Sequence, residues 1–118
     1  MPAKRPPFAP LPPAAFHVLI AIGAGERHGY AIMREVERIT DGTVRMGPGT
    51  LYGTIKRLLD DGLIEERGQR ADPSHVDQRR RYYRVTALGR SSVAAEVKRL
   101  EAMIDKTGAR TWAPGSQP

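Results

Sequence analysis

Apolar residues recur at helical spacing in the first part of the chain. They stand at Leu11, Ala15, Val18, Leu19 and Ile22. Pro12 and Pro13 suit the first turn of a helix, where a missing backbone N–H leaves no hydrogen bond unmade. Gly23 and Gly25 follow the last apolar position and end the pattern. The sequence therefore predicts a first helix that starts near Leu11.

A second helix is predicted from about Gly29 to Thr40. Its apolar positions, on one face, are Ile32, Met33, Val36 and Ile39. The pair Asp41-Gly42 stops this helix. The link Thr43–Gly47 follows, and its Val44 and Met46 favour one short strand.

The third helix has the clearest signals at both ends. Pro48 fits its first position and Gly62 fits the position just after it. The buried stripe is predicted at Leu51, Ile55, Leu58 and Leu59.

A β-hairpin is predicted after the third helix. Leu63–Arg67 and the tyrosine-rich segment Arg79–Val85 have the composition of strands. Between them, the polar segment Gly68–Gln78 contains Gly, Asp, Pro and Ser, which favours a loop. The hairpin thus has a long basic tip.

A fourth helix is predicted from Ala87 to about Lys106, with Thr86 as its N-cap. Its apolar residues Val93, Val97, Leu100 and Ile104 follow a 4-3-4 spacing, which is typical of the seam of a short coiled coil. This row predicts a homodimer interface. The alternative is that the helix folds back on its own domain.

The predicted fold class is mostly α with a small β-hairpin: a winged helix-turn-helix with a C-terminal dimerisation helix. Residues 1–10 contain four prolines, so we expect a flexible arm there. The winged helix-turn-helix domain spans residues 11–86, the dimerisation helix residues 87–107, and a flexible tail residues 108–118.

The chain is basic, with a formal net charge of +6 and a sequence pI near 10.2. This favours an acidic partner, either nucleic acid or an anionic membrane surface. The charge is concentrated in residues 67–84, which hold six arginines against two aspartates. The chain has no cysteine and no apolar run near the ~20 residues that span a bilayer. We therefore expect a cytoplasmic protein that does not bind membranes.

The outer face of the third helix carries candidate DNA-binding side chains. With the apolar stripe buried, the flanks and outer face hold Thr50, Tyr52, Thr54, Lys56 and Arg57. Hydroxyl groups, an aromatic ring and cations are groups that contact bases and phosphates in a major groove. Gly53 removes bulk, so the helix backbone can approach DNA closely. The alternative is an ordinary solvated helix face.

The predicted hairpin adds a second basic candidate, Arg79, Arg80 and Arg81, followed by two tyrosines. Such a hairpin can lie along a phosphate backbone or enter a minor groove. A solvated charge run is the alternative, but the proximity of the third helix favours double-stranded DNA as the partner. We expect the third helix to give selectivity and the hairpin most of the electrostatic affinity.

Tyr30, at the start of the second helix, has two possible roles. Its hydroxyl can donate a hydrogen bond to a phosphate, or its ring can pack in the core. Core packing is the favoured interpretation.

An enzyme is not indicated. The histidines His17, His28 and His75 do not have metal-ligand spacing, and no cofactor-binding motif is complete. We therefore expect no metal and no cofactor. The remaining alternative is a protein-interaction or anionic-surface-binding winged-helix module without specific DNA readout.

Residues Leu11 to Ile104 resemble the PadR family of bacterial transcriptional regulators. The residues that carry the resemblance are His28-Gly29-Tyr30 with Ile32, Gly49-Thr50-Leu51-Tyr52, Leu58, Gly62-Leu63-Ile64-Glu65, Arg81-Tyr82-Tyr83-Arg84-Val85-Thr86 and Gly89. The resemblance implies a winged-helix dimer, usually a repressor, with dimer contacts on the C-terminal helix. It also implies that Thr50, Tyr52 and Lys56 lie on the recognition helix and the arginines on the wing. Release from DNA by a small-molecule effector stays open.

Overall fold

The computed structural model describes residues 8–72, 75–112 and 114, and for residues 72 and 75–79 it describes the backbone alone. The helices are α1 (Pro13–Ile22), α2 (Gly29–Ile39), α3 (Pro48–Asp60) and α4 (Ala87–Thr107), followed by a 3-10 turn at Ala109–Trp112. The strands are β1 (Glu26–His28), β2 (Ile64–Asp72) and β3 (His75–Val85). The predicted fold, mostly α with a β-hairpin and a C-terminal helix, is confirmed. The β2–β3 hairpin is called the wing below.

Proline and glycine set the ends of α1 and α3. Pro13 and Pro48 are the first residues of these helices, where proline's fixed φ suits helical geometry. Gly23 and Gly62 follow the helices with φ of 68° and 74°, values that a residue with a Cβ rarely adopts. The proline and glycine signals are therefore confirmed for both helices, and α1 begins two residues after Leu11.

The third strand of the sheet is not where the sequence predicts it. β1 pairs antiparallel with β3, with Glu26 opposite Arg84 and His28 opposite Tyr82, so the strand order is β1-β3-β2. The predicted strand in Thr43–Gly47 is wrong. There, the Val44 amide donates to the Thr40 hydroxyl at 3.1 Å, and Val44 packs against the core without pairing to a strand.

The wing is longer than predicted. Much of Gly68–Gln78 is strand and not loop, since β2 continues to Asp72 and β3 begins at His75. Gly68, with φ of 94°, lies at a shift in the pairing register between Glu66 and Gln69. The polar composition predicts that a loop starts at this glycine. Instead, the glycine lies at an irregularity in the strand, and the pairing of β2 with β3 continues beyond it.

One core joins α1, α2, α3 and the base of the wing. Its fully buried side chains include Val18, Leu19, Ile22, Ile32, Val36, Leu51, Leu58 and Leu63. Tyr83 and Val85 close it from β3. Three predicted apolar positions are less buried than the rest: Ile39 is 36% exposed, and Met33 and Leu59 are half-buried against the core. Ile39 is the last residue of α2, where the helix end leaves its side chain partly uncovered.

α4 is capped as predicted and packs closely on the wing. The Thr86 hydroxyl accepts a hydrogen bond from the Gly89 amide at 3.0 Å. A Cβ at Gly89 would collide with the Leu63 carbonyl oxygen and with Val85, so only glycine permits this approach. The buried Glu96 carboxylate accepts hydrogen bonds from the Leu11 amide at 3.1 Å and from Arg99. α4 is thereby joined to the chain just before α1.

The row predicted as a dimer interface divides between two environments. Val93 packs against the core of its own domain. Val97 is 37% exposed, and Leu100 and Ile104 are half-buried. Met103, on the same outer part of α4, is 50% exposed. In the part of the chain that the structure describes, no helix is long and apolar enough to cross a membrane.

Candidate nucleic-acid interface

The outer face of α3 presents most of the side chains predicted to contact DNA. Thr50, Tyr52, Lys56 and Arg57 are exposed. Thr54 is half-buried, and its hydroxyl donates to the Thr50 carbonyl oxygen at 2.7 Å. Neither Lys56 nor Arg57 forms an ion pair with any described residue. Two cations on this face are therefore available to phosphates or base edges.

Tyr52 extends from α3 to the first residue of α2. A Cβ at Gly29 would lie 2.6 Å from the Tyr52 hydroxyl oxygen and 2.9 Å from the ring. Glycine at position 29 therefore makes room for the end of this side chain, and any other residue would displace it. Tyr52 nevertheless remains 50% exposed, so the ring also borders solvent.

Tyr30 lies on the surface beside this contact. Its side chain is 40% exposed, so the interpretation that it packs in the core is wrong. The Arg80 and Arg34 guanidinium carbons lie 5.5 Å and 5.9 Å from its ring centroid. Both distances allow a cation–π interaction. The ring thus links the start of α2 to the wing.

A polar pocket of about 250 Å³ lies where α2, α3 and the wing meet. It is lined by His28, Gly29, Tyr52, Gln69, Arg80, Arg81 and Tyr83. Burial raises the pKa of Tyr83, and the negative charge of Glu66 raises it further. The Tyr83 hydroxyl therefore stays protonated over the physiological range. We call this site the junction pocket.

The wing arginines differ from the cations of α3 because many have glutamate partners. Glu26 of β1 accepts from Arg70 at 2.5 Å and from Arg67 at 3.4 Å. These hydrogen bonds, that of Arg70 foremost, lower the pKa of Glu26, so its carboxylate remains charged. Arg84 donates to Glu65 at 2.5 Å. Much of the positive charge predicted for the wing is thus balanced within the molecule.

The arginine triplet is described in part. Arg80 is half-buried beside the Tyr30 ring. Arg81 is exposed, and its guanidinium lies 3.8 Å from a Glu66 carboxylate oxygen. The side chain of Arg79 lies outside the described residues. Arg80 and Arg81 are therefore the triplet members that the structure brings together with Tyr52.

The family follows from comparison with known proteins. A model of the transcriptional regulator PadR-like family matches residues 18–95, which is more than half of the chain. The chain belongs to the PadR-like family of transcriptional regulators. The transcriptional regulator Rv3488 of Mycobacterium tuberculosis is 35% identical to it over 88 residues, which cover 74% of this chain and 75% of that protein.

Solved structures of transcriptional regulators share this fold. A transcriptional regulator from Clostridium thermocellum matches with a TM-score of 0.64 and 23% identity over 82% of this chain and 90% of that one. Bacillus subtilis PadR, solved in complex with operator DNA, matches with a TM-score of 0.63 and 17% identity over 83% of this chain and 61% of that one. At these identities the likeness bears on the fold alone.

The sequence does not identify four residues that shape the candidate DNA-binding surface. Gly29, Gln69 and His28 line the junction pocket, and Glu26 holds two wing arginines. A glycine at the first position of a helix is a signal for close approach of another group. No local pattern marks Gln69 or Glu26, because their roles depend on strands that pair across the chain.

Proposed function

We propose that this protein is a sequence-specific double-stranded DNA-binding transcriptional regulator that acts as a homodimer and represses its target. The observation that carries the proposal is the junction formed by Tyr52, Gly29 and Arg80, where α3, α2 and the wing contribute to one surface. A helix beside a basic hairpin suits a major groove and its flanking phosphates.

α3 supplies the selectivity in this proposal. Thr50, Lys56 and Arg57 are exposed on it, and hydroxyl and cationic groups can hydrogen-bond base edges in the major groove. Tyr30, Tyr52, Arg80 and Arg81 border the flanking surface. Thr54 and Arg79 complete the candidate set, with Thr54 hydrogen-bonded within its helix. Bacillus subtilis PadR bound to operator DNA supports this use of the fold.

The homodimer forms through the outer face of α4. Val97, Leu100 and Ile104 form an apolar row that the described part of the domain leaves partly uncovered, while Val93 supports the row from the core. Burying such a row against a second copy removes apolar surface from water. Two recognition helices then meet half-sites about 34–36 Å apart.

Oligomeric state tests the dimer directly. Wild type should sediment as a dimer at micromolar concentration. Leu100→Asp should sediment as a monomer because it places a charge in the row. The matched control Glu101→Gln alters the exposed neighbour and should remain dimeric. A monomeric wild type would remove the dimer from the proposal.

Binding selection from a pool of random duplex DNA tests the function. The purified protein should enrich a palindromic motif, and its affinity should fall as salt rises because phosphate contacts release counterions. Failure to enrich any motif would favour a protein-interaction or anionic-surface-binding module. A small-molecule effector that releases the protein from DNA is part of the proposal, with its chemical class left open.

A further inference from the structure

We propose that the junction pocket binds one phosphate group of the DNA backbone, and that Tyr52 donates a hydrogen bond to this phosphate and does not read a base. The inference rests on the proposed DNA-binding function and assigns Tyr52 a different task from the one its position on α3 suggests. It makes Tyr52 a residue that fixes the docking position of the protein.

The chemistry of the lining suits an anion. The described lining residues include Arg80, Arg81, Tyr52 and Tyr83 and no acidic residue. The nearest carboxylate with a known contact is that of Glu66, which lies 3.8 Å from the Arg81 guanidinium. Guanidinium and hydroxyl groups are donors that phosphate oxygens accept. An anion that enters this pocket therefore meets donors from both α3 and the wing.

The position of Tyr52 separates it from base recognition. Its hydroxyl lies against Gly29, at the start of a neighbouring helix. A hydroxyl held there lies at the border between α2 and α3, where a phosphate can reach it. The open space that Gly29 leaves is what permits this placement.

The two arginines are held in ways that suit a shared phosphate. Arg80 packs on the Tyr30 ring, which carries Arg34 as well. Arg81 is 3.8 Å from Glu66, a separation at which the attraction is electrostatic and not a close hydrogen bond. Arg81 can therefore turn towards a phosphate without breaking a short contact.

The first test removes only the Tyr52 hydroxyl. Tyr52→Phe should weaken binding to the selected operator and to a scrambled duplex by the same factor, about tenfold, because the lost hydrogen bond joins a phosphate that every sequence carries. Tyr52 is half exposed, so this change leaves the fold intact. A loss confined to the operator would overturn the inference in favour of base reading, and no loss on either duplex would overturn it too.

The second test locates the phosphate. Operators are prepared with a neutral methylphosphonate at the same position of both half-sites, one position at a time. One position should weaken wild type at least as much as Tyr52→Phe, because the neutral group also weakens the contacts of the arginines, and adding Tyr52→Phe on that operator should cost little more. Additive losses at every position would contradict the inference.

Gly29→Ala gives an independent route to the same result. The new methyl group would meet the far end of the Tyr52 side chain, so Tyr52 should move and the fold should remain. We expect the same uniform loss as for Tyr52→Phe, and no further loss in the double variant. Full wild-type affinity for Gly29→Ala would count against the placement of the hydroxyl.

Inorganic phosphate separates failure of the pocket from failure of the DNA-binding function. The Gly29 amide signal, followed by NMR in the full chain, should shift on titration with phosphate but not with chloride at equal ionic strength. The shift should be weaker in Tyr52→Phe. A phosphate response without DNA binding would retain the pocket and reject the function. DNA binding without a phosphate response or any Tyr52 effect would reject the pocket alone.

Discussion

α3 and the wing both present cations, but they differ in how those cations are balanced. Lys56 and Arg57 of α3 have no ion-pair partner among the described residues. In the wing, Arg67 and Arg70 share Glu26, and Arg84 pairs with Glu65. The segment with the highest density of arginine is therefore also the segment with the most internal neutralisation.

This difference changes how the sequence charge should be interpreted. A phosphate that contacts a paired arginine must compete with a carboxylate, whereas one that contacts Lys56 displaces only water and counterions. Exposed ion pairs are individually weak, so competition is feasible but reduces the gain. We therefore expect α3 to contribute more of the electrostatic affinity than arginine counting suggests.

The largest expected effect comes from Lys56→Ala. Removing an unpaired cation that reaches a base should cost roughly 1–3 kcal/mol of specific binding, or about 5- to 150-fold in affinity. Fluorescence anisotropy on the selected operator measures it. Lys98→Ala, which removes an exposed lysine from α4, is the matched control and should bind as wild type. Equal losses in both variants would contradict a special role for α3.

Arg80→Ala should have the next largest effect. It should weaken binding to all sequences and lower the slope of log affinity against log salt by about one for each protomer, or about two for the homodimer, since each protomer loses one phosphate contact. Arg84→Ala should leave the slope close to that of wild type, since Arg84 is held by Glu65. If Arg84→Ala lowered the slope as much as Arg80→Ala, the pairing of Arg84 with Glu65 would not limit its contact with DNA.

Gly53→Ala should raise the thermal stability of the protein and lower its affinity for the operator. A Cβ at Gly53 would meet no atom within 4 Å, and alanine is favoured over glycine inside a helix by about 1 kcal/mol. Thermal unfolding should therefore occur at a higher temperature. Operator affinity should fall, since the added methyl group holds the helix backbone away from DNA. Unchanged affinity would show that the backbone of α3 does not approach the groove at this point.

Glu26→Gln should have the smallest effect on DNA affinity. Unlike the other substitutions, it should raise the affinity. Loss of the carboxylate leaves Arg67 and Arg70 without their shared partner, so affinity for random duplex DNA should rise a few-fold and the salt slope should steepen. Titrations of one scrambled duplex at several salt concentrations measure both. Weaker binding would instead indicate that Glu26 is needed to hold the wing in place.

Local signals in the sequence predicted the parts of the fold that depend on a few neighbouring residues. Pro48 and Gly62 bound α3, and Thr86 caps α4, because each acts within one turn of its own helix. The strand at Glu26–His28 could not be predicted in this way. It is three residues long and exists because β3, more than fifty residues later, offers an edge.

The candidate site shows the same limit. The outer face of α3 followed from helical periodicity, and Thr50, Tyr52, Lys56 and Arg57 are exposed there. The contact of Tyr52 with Gly29 and the pairing of Glu26 with Arg70 join residues far apart in the chain. Charge counting could not show that glutamates balance the wing, because that depends on which side chains the sheet brings together.

Repeating the selection from random duplex DNA with Lys56→Ala and Arg80→Ala tests the division of labour between α3 and the wing most directly. Lys56→Ala should enrich a motif that is altered at the positions α3 contacts. Arg80→Ala should enrich the wild-type motif at lower salt, because its contact is to the backbone. An unchanged motif for Lys56→Ala together with an altered motif for Arg80→Ala would contradict the account.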